Sequence, residues 1–418
     1  MSDHPNAIQQ STLTDGGWKK KTAIFLSSQT ISLFGSMLVQ YAIIWYVTLS
    51  EQSGAVLTIS TLAGFLPQIV ISLFAGVWAD RYPRKLLIIG ADVLTALSTL
   101  ALAIAFLLGY RELWLIFLVS AIRSVGAGIQ TPAVSALLPQ IAPTEKLMKV
   151  NSINGTIHPL IMIVSPILSG AMLSLSRLEI IFFVDVVTAA LAVILLLTLQ
   201  VPPLPRLVTQ TQGYLDDLKA GLSYIRQTQQ IRTLFLFFAF VFFLVAPIAF
   251  LSPLLVARSF GEEVWKLTAN EITFFVGSIL GGIIMTAWGG SPNRFRTLGL
   301  TCLVWAVLFA GLGLAQDFTV YLVVMTLSGI PMPFFSATSM TLLQEIVPSE
   351  LQGRVFGVQQ LIMSSIMPLG MLVFGPAADY LSIEALLVIS GTLMALPSLW
   401  LYFKRHPIPA QPDLAPAD

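Results

Sequence analysis

Leu137-Leu138-Pro-Gln-Ile141-Ala-Pro143-Thr144-Glu145-Lys-Leu-Met-Lys149-Val150 is echoed 205 residues later by Leu342-Leu343-Gln-Glu-Ile346-Val-Pro348-Ser349-Glu350-Leu-Gln-Gly-Arg354-Val355. Chance likeness between apolar runs does not reproduce the shared Pro-[Thr/Ser]-Glu punctuation with a basic residue after it. A weaker echo ties Gly76-x-x-x-Asp80-Arg81 to Gly289-x-x-x-Asn293-Arg294. The chain therefore reads as two copies of one unit.

Composition says what kind of unit this is. Of 418 residues, 56% are apolar and only 10% charged, against ~25% charged in ordinary soluble domains. A soluble multidomain protein is excluded. A membrane-spanning helix needs ~20 apolar residues. Such runs occur at about 22–49, 55–79, 85–108, 113–140, 152–175, 180–200, 231–256, 269–289, 296–315, 319–343, 355–378 and 383–403. These are spans 1 to 12. Span 1 is too long for a signal-peptide core and no small-residue cleavage site follows it, so it is retained. Gly and Pro interrupt several spans, which neighbouring helices tolerate by satisfying the freed backbone groups.

The basic residues test this count. With the N-terminus in the cytoplasm, 17 of the 22 Lys and Arg fall on the cytoplasmic side, four (Arg111, Arg177, Arg258, Lys266) fall outside, and Arg123 lies inside a span. One missed span would invert every later loop, so the bias supports both the count and cytoplasmic termini. The expected organisation is a tail at 1–21, a six-helix bundle at 22–200, a linker at 201–230, a second bundle at 231–403 and a tail at 404–418. The linker opens with Val201-Pro-Pro-Leu-Pro205, which breaks a helix. Residues 213–226 then space Tyr214, Leu215, Leu218, Leu222 and Ile225 as one face of an amphipathic surface helix.

Other classes are set aside quickly. Lys+Arg (22) balance Asp+Glu (21), so nothing points to nucleic acid. The single Cys302 rules out an internal disulfide, and three scattered histidines (His4, His158, His406) make no metal site. His158, beside Pro159, reads as a packing or hydrogen-bonded residue. No Walker loop, G-x-S-x-G or H-E-x-x-H is present, so no enzyme or cofactor is expected. Thr268-Ala-Asn-Glu271 fits a capping box opening span 8.

Intramembrane charges are costly and are functional hypotheses by default. Three stand well inside spans: Asp92, Arg123 and Asp185. Arg123 lies ~15 Å into span 4 and Asp92 ~10 Å into span 3 from the other side, so their depths allow a pair; Asp185 is nearer the outer face. An acid beside a cation that tunes it is what proton coupling requires, and a static ion pair fixing helix packing is the alternative. On span 1, Gln29, Ser32, Ser36 and Gln40 form one polar stripe at helical spacing, with Tyr41 beside it. Phe237, Phe238, Phe242 and Phe243 on span 7, and Phe334 and Phe335 after Pro331 and Pro333 on span 10, would give an aromatic chamber with few charges. Such a chamber suits a bulky amphipathic ligand, unless these rings simply face lipid.

Gly76-Val-Trp-Ala-Asp80-Arg81-Tyr-Pro-Arg84-Lys85 resembles the loop 2–3 signature of the major facilitator superfamily, G-x-L-x-D-R-x-G-R-K, at Gly76, Asp80, Arg81, Arg84 and Lys85. Trp78 replaces the Leu and Pro83 the second Gly. Two parallel six-helix repeats are also that superfamily's architecture, with the substrate site between halves near the bilayer midplane. The resemblance implies an all-α fold of twelve helices in two pseudo-symmetric bundles, in which this loop latches the halves on the cytoplasmic side. Gly76 would admit a close helix, and Asp80 would face a helix N-terminus. Span 4 would line the cavity. Ser165-Pro166-Ile-Leu-Ser169-Gly170 resembles the span 5 motif of antiporter-type exporters, where small residues and a Pro bend would pack span 5 on Gly277, Gly281 and Gly282 of span 8.

Residues 20–405 are similar to the macrolide-efflux type of drug:proton antiporter, on the Gly76–Lys85 loop with Ile88-Ile-Gly-Ala-Asp92, Ile122-Arg123-Ser-Val-Gly126 with Thr131-Pro132-Ala133, Val164-Ser165-Pro166 and Gly353-Arg354-Val355-Phe356. This implies a monomeric, proton-driven exporter of hydrophobic small molecules in a bacterial inner membrane. Its partners would be cargo, protons and lipid, and the proton gradient would supply the energy. A siderophore or other metabolite exporter, a lipid flippase or scramblase, and a membrane scaffold are the other readings.

Overall fold

The computed structural model describes residues 17–201 and 214–403, apart from the side chains of 214–219. The tails at 1–16 and 404–418 and the Pro-rich opening of the linker lie outside the described residues. Among those described there is no strand, and twelve helical spans are long and apolar enough to cross a membrane. They run Gly17–Glu51, Gly54–Arg81, Arg84–Leu107, Leu113–Ile141, Thr144–Leu175, Leu178–Thr198, Gln229–Ser259, Val264–Trp288, Arg294–Leu314, Phe318–Ile346, Ser349–Ala377 and Ile383–Phe403. Each expected run is found.

Ends and breaks follow local chemistry. Asn293 caps span 9, its side chain accepting from the Arg296 N–H at 3.1 Å. Asp317 caps span 10 by accepting from Thr319 and Val320. These side chains satisfy N–H groups that a helix start leaves orphaned. Span 10 is two helices, Phe318–Gly329 and Pro331–Ile346, because Pro331 has no N–H to continue the ladder. The capping box expected at Thr268 is not formed. Span 8 begins earlier, at Val264, and the Thr268 hydroxyl donates back to the Val264 carbonyl at 3.1 Å. Three polar residues in the first turns disguised a helix that had already begun.

The chain divides into two compact units: Met1–Glu51 with Ile59–Tyr214 and Glu263–Thr268, and Gln52–Thr58 with Leu215–Glu262 and Ala269–Asp418. The duplication is visible in the helices. Leu113–Ile141 and Phe318–Ile346 are offset by 205 residues, as are Leu178–Thr198 and Ile383–Phe403. In the first unit one apolar cluster joins Phe25, Ile88, Leu137, Ile141, Val150 and Leu196 from five spans. The second unit's core is aromatic. Phe335 packs edge-on against Phe238 and Phe242, with both centroids at 5.6 Å, and lies 5.5 Å from Trp305. The linker helix, Tyr214–Gln227, packs on the start of span 11 at Gly221, where a Cβ would lie 2.8 Å from the Arg354 carbonyl.

Candidate functional site

The first unit buries a charged cluster among spans 1, 3, 4 and 6. Asp185 is 1% exposed, Asp92 3% and Arg123 8%. Arg123 Nη1 pairs with Asp185 Oδ2 and also donates to Thr99 Oγ1. The Thr99 hydroxyl donates onward to Asp185 Oδ2 at 3.0 Å. Arg123 Nη2 donates to the Ser36 carbonyl on span 1 at 3.1 Å. Gly35 makes room for this: a Cβ there would lie 1.9 Å from Thr188 Oγ1 and 3.0 Å from Asp185 Oδ1, so span 6 rests directly on span 1. At Gly126 a Cβ would lie 2.5 Å from Thr95 Oγ1, which brings span 3 onto span 4.

Asp92 belongs to a second, adjoining set. Its Oδ1 accepts from the Ser32 hydroxyl at 2.6 Å and from Gln130 Nε2 at 2.9 Å. Gln130 also donates to Gln29 at 3.3 Å. Asp92 Oδ2 is buried with no partner. Depth alone allows Arg123 to pair with Asp92; the structure pairs it with Asp185 instead. Depth along a span fixes height but not direction, and the helix beside Arg123 at that height is span 6. Two members went unremarked in the sequence, although a signal existed. Thr99 follows Asp92 by seven residues and Gln130 follows Arg123 by seven, which is two helical turns along the same face.

The other candidates are distributed. Gln29, Ser32 and Ser36 of the polar stripe touch the cluster as described; Gln40 and Tyr41 lie farther along span 1, where Tyr41 tilts against Trp45 at 5.6 Å. Phe238 and Phe335 are core residues of the second unit, whereas Phe242 and Phe334 are half-buried. Ser169 donates to the Leu38 carbonyl at 3.0 Å, and Ser165 is fully buried. Gly170 would set a Cβ 2.0 Å from Thr268 Oγ1 and 3.2 Å from Trp45. Gly277 and Gly281 press on the Thr326 and Ile330 carbonyls, where the break in span 10 leaves its backbone open to close approach. His158 is exposed rather than packed. Span 8 also holds a carboxylate, the last residue of that capping-box pattern. Glu271 accepts from Asn270 at 3.4 Å, and Asn270 meets Ser252 at 3.2 Å and Tyr321 at 2.7 Å.

The loop after span 2 is pinned through its cations. Arg84 donates to the Ala79 carbonyl at 2.9 Å and the Ala136 carbonyl of span 4 at 2.6 Å, and Lys85 reaches the Leu197 and Leu199 carbonyls of span 6. Asp80 is 77% exposed, with Arg84 at 3.5 Å. Gly76 has nothing within 4 Å of a Cβ position, so the close approach expected there is not made. Ala75 and Ala79 form the buried edge of this turn, and Gly76 lies one position around the helix.

In the second unit, Asp379 just beyond span 11 accepts from the N–H groups of Gly54 (2.7 Å) and Ala55 (2.9 Å), from the Ser53 hydroxyl (3.0 Å) and from Arg258 (3.1 Å). Arg258 also donates to the Ala378 carbonyl at 2.6 Å. Partial burial pushes the Asp379 carboxyl upward, but the hydrogen bonds from Ala55, Gly54, Ser53 and Arg258 outweigh it and hold it below the ordinary range.

The family model described as Major Facilitator Superfamily matches residues 23–371 and 264–417. The chain belongs to the Major Facilitator Superfamily. This facilitator is 30% identical over 380 residues to macrolide efflux protein A of Streptococcus pyogenes, covering 90% of this chain and 94% of that one. It is 30% identical over 322 residues to the protein of the same name from Enterococcus faecalis, covering 76% and 99%. Among solved structures, a peptide transporter POT superposes with a TM-score of 0.72 at 13% identity, over 96% of this chain and 98% of that chain. The facilitator is thus a multi-pass membrane transporter of small molecules, not an enzyme.

Proposed function

We propose that the protein is a proton-coupled exporter of hydrophobic or amphipathic small molecules, macrolide-like compounds among them. It works by alternating access, as a monomer in a bacterial inner membrane, with both termini cytoplasmic. The observation that carries this reading is the Asp92 Oδ2 atom, buried and unpartnered beside an ion pair. Similarity to the macrolide efflux proteins supports the cargo class.

In this reading Arg123 and Asp185 cancel each other and stay paired through Thr99. Asp92 is then the group whose charge changes, and one proton on Oδ2 makes the cluster electrically neutral. Hydrogen bonds to an ionised acceptor are roughly twice as strong as neutral ones, so protonation loosens the grip of Ser32 and Gln130. Gln130 carries that change to Gln29 on the polar stripe, where Ser36, Gln40 and Tyr41 continue toward the cargo. Phe242 and Phe334, half-buried, supply apolar contact, with Phe238 and Phe335 as backing. Gly76, Asp80, Arg81, Arg84 and Lys85 act as the cytoplasmic latch, and Ser165, Pro166 and Gly170 as a packing seam. The proton gradient is the energy source and no cofactor takes part.

The test is transport of a labelled macrolide into proteoliposomes under an imposed pH gradient, with a siderophore in parallel. Wild type should accumulate macrolide and stop on addition of an uncoupler. Asp92→Asn keeps acceptors for Ser32 and Gln130, so it should remain folded and lose gradient-driven accumulation. Full activity in that variant, or uptake indifferent to the uncoupler, would remove Asp92 and the coupling from the mechanism.

A further inference from the structure

A cavity of about 560 Å³ lies in the first unit between the beginnings of spans 1 and 5. Leu26, Ile31, Ile153 and Ile157 wall it, while Lys19, Lys149 and Thr22 also line it. Thr22 is 5% exposed, and its hydroxyl has no hydrogen-bond partner. A buried hydroxyl left unpaired costs free energy unless something outside the protein completes it.

The charge pattern says what completes it. Both lysines sit in the opening turns of helices, where the macrodipole disfavours a cation. Neither helix has an acidic residue in its first turn, and Glu145, in the 3-10 turn before span 5, does not line the cavity. No described carboxylate forms an ion pair with Lys19 or Lys149. Two helix beginnings, two ammonium groups that meet no described carboxylate and a free hydroxyl together favour an anion with several acceptor oxygens.

The apolar walls narrow the choice. A free inorganic anion would leave Leu26, Ile31, Ile153 and Ile157 unused, and a neutral cargo would leave both lysines unused. Trp18 also lines it, a side chain enriched at membrane–water interfaces. Basic pockets between helices at that level take lipid headgroups. We propose that this cavity binds one anionic phospholipid. Its phosphate lies between Lys19 and Lys149 and accepts from the Thr22 hydroxyl, and the upper acyl chains follow the isoleucines. Bound there, the lipid clamps the starts of spans 1 and 5 together.

The experiment uses the purified full-length protein in neutral detergent. It is titrated with phosphatidylglycerol, with phosphatidylcholine of the same chains, and with inorganic phosphate. Retention is read by native mass spectrometry and stabilisation by thermal unfolding. Phosphatidylglycerol alone should be retained and raise the melting temperature. Lys149→Gln, at an exposed position, should weaken its binding about five-fold, the equivalent of ~1 kcal/mol per juxtamembrane lysine. Thr22→Val, nearly isosteric, should weaken it too, while leaving the lipid-free protein at least as stable as wild type because the unpaired hydroxyl is gone. Equal retention of phosphatidylcholine, equal stabilisation by inorganic phosphate, or unchanged phosphatidylglycerol binding in Lys149→Gln would each overturn the assignment. None of these readouts involves Asp92 or transport, so the outcome is separable from the exporter reading.

Discussion

Arg123 and Asp185 in the first unit correspond by the 205-residue offset to Ser328 and Ser390 in the second, and Asp92 falls opposite Trp305 by the offset of the Gly76 and Gly289 echo. The 205-residue offset also matches spans 4 and 6 to spans 10 and 12 end for end. The burial is shared, since Trp305, Ser328 and Ser390 are all buried. The chemistry is not. In the second unit the space is taken by rings: Trp305 donates to the Ser328 carbonyl at 2.9 Å, stacks on Phe309 and tilts against Phe335. A duplicated bundle can therefore pack without ionised groups at these three places. Charges in hydrocarbon are costly, and a buried ion pair is often matched or bettered in stability by apolar replacements. The second unit folds without charges at these places, which supports the functional reading proposed for them in the first.

The sharpest way to break that comparison is to make the first unit resemble the second. Arg123→Ser alone leaves Asp185 buried without its partner, which costs about 3–5 kcal/mol. The melting temperature and folded yield should drop sharply. Adding Asp185→Ser removes the orphaned charge and should restore most of that loss, while gradient-driven transport stays absent in both variants. Thermal unfolding in detergent and proteoliposome transport check the two halves of the statement. A double variant as unstable as the single one would mean that the ion pair holds the bundle together.

Glycines at matched packing roles give a smaller effect of a different kind. A Cβ at Gly391 on span 12 would lie 2.4 Å from the Ala306 carbonyl and 3.0 Å from the Ala310 nitrogen, both backbone. Helices must separate, and overpacking of that sort costs about 1–3 kcal/mol. At Gly35 the nearest atom is the Thr188 hydroxyl, a side chain that can turn by giving up its bond to the Asp185 carbonyl at 2.9 Å. Gly391→Ala should thus lower the melting temperature more than Gly35→Ala. Gly35→Ala should instead reduce transport, because it disturbs the helix that carries Asp185. The two readouts should rank the variants in opposite order.

The fold was legible because its signals are local or periodic. Hydrophobic runs give spans, basic loops give parity, and Pro-[Thr/Ser]-Glu marks the repeat. The charged residues were also legible one at a time, since each stands out from an apolar run. Their pairing was not. Whether Arg123 meets Asp92 or Asp185 depends on which helices lie side by side, and no spacing within one helix encodes that. The i+7 positions of Thr99 and Gln130 were readable and overlooked. The motif at Thr268–Glu271 shows the opposite failure, a local pattern overruled because the helix starts at Val264. The Asp379 cluster draws on segments near positions 53, 258 and 379, and left no sequence pattern to find.

Asp80, in the last turn of span 2, and Asp379, just beyond span 11, give the finest comparison. Asp80 is largely in solvent with one arginine at 3.5 Å, and an exposed pair of that kind is worth ~0.5 kcal/mol or less. Asp379 caps the start of span 2 with two N–H bonds besides its Arg258 contact, so Asp379→Ala should cost about 1 kcal/mol, the usual size of a lost cap. The pH dependence follows from the sign. The Asp379 carboxyl is held below the ordinary range when folded, so its contribution is fully present above the unfolded value of about 4 and is lost as pH falls through the lower folded value. Stability should therefore show no dependence on Asp379 titration between pH 5 and 8. At neutral pH Asp80→Ala should stay within ~0.5 kcal/mol of wild type. Below about pH 4 wild type should lose its advantage over Asp379→Ala. Melting temperatures across that range decide it: a gap between wild type and Asp379→Ala that closes near pH 6 would mean that the carboxylate is not held by the bonds drawn here.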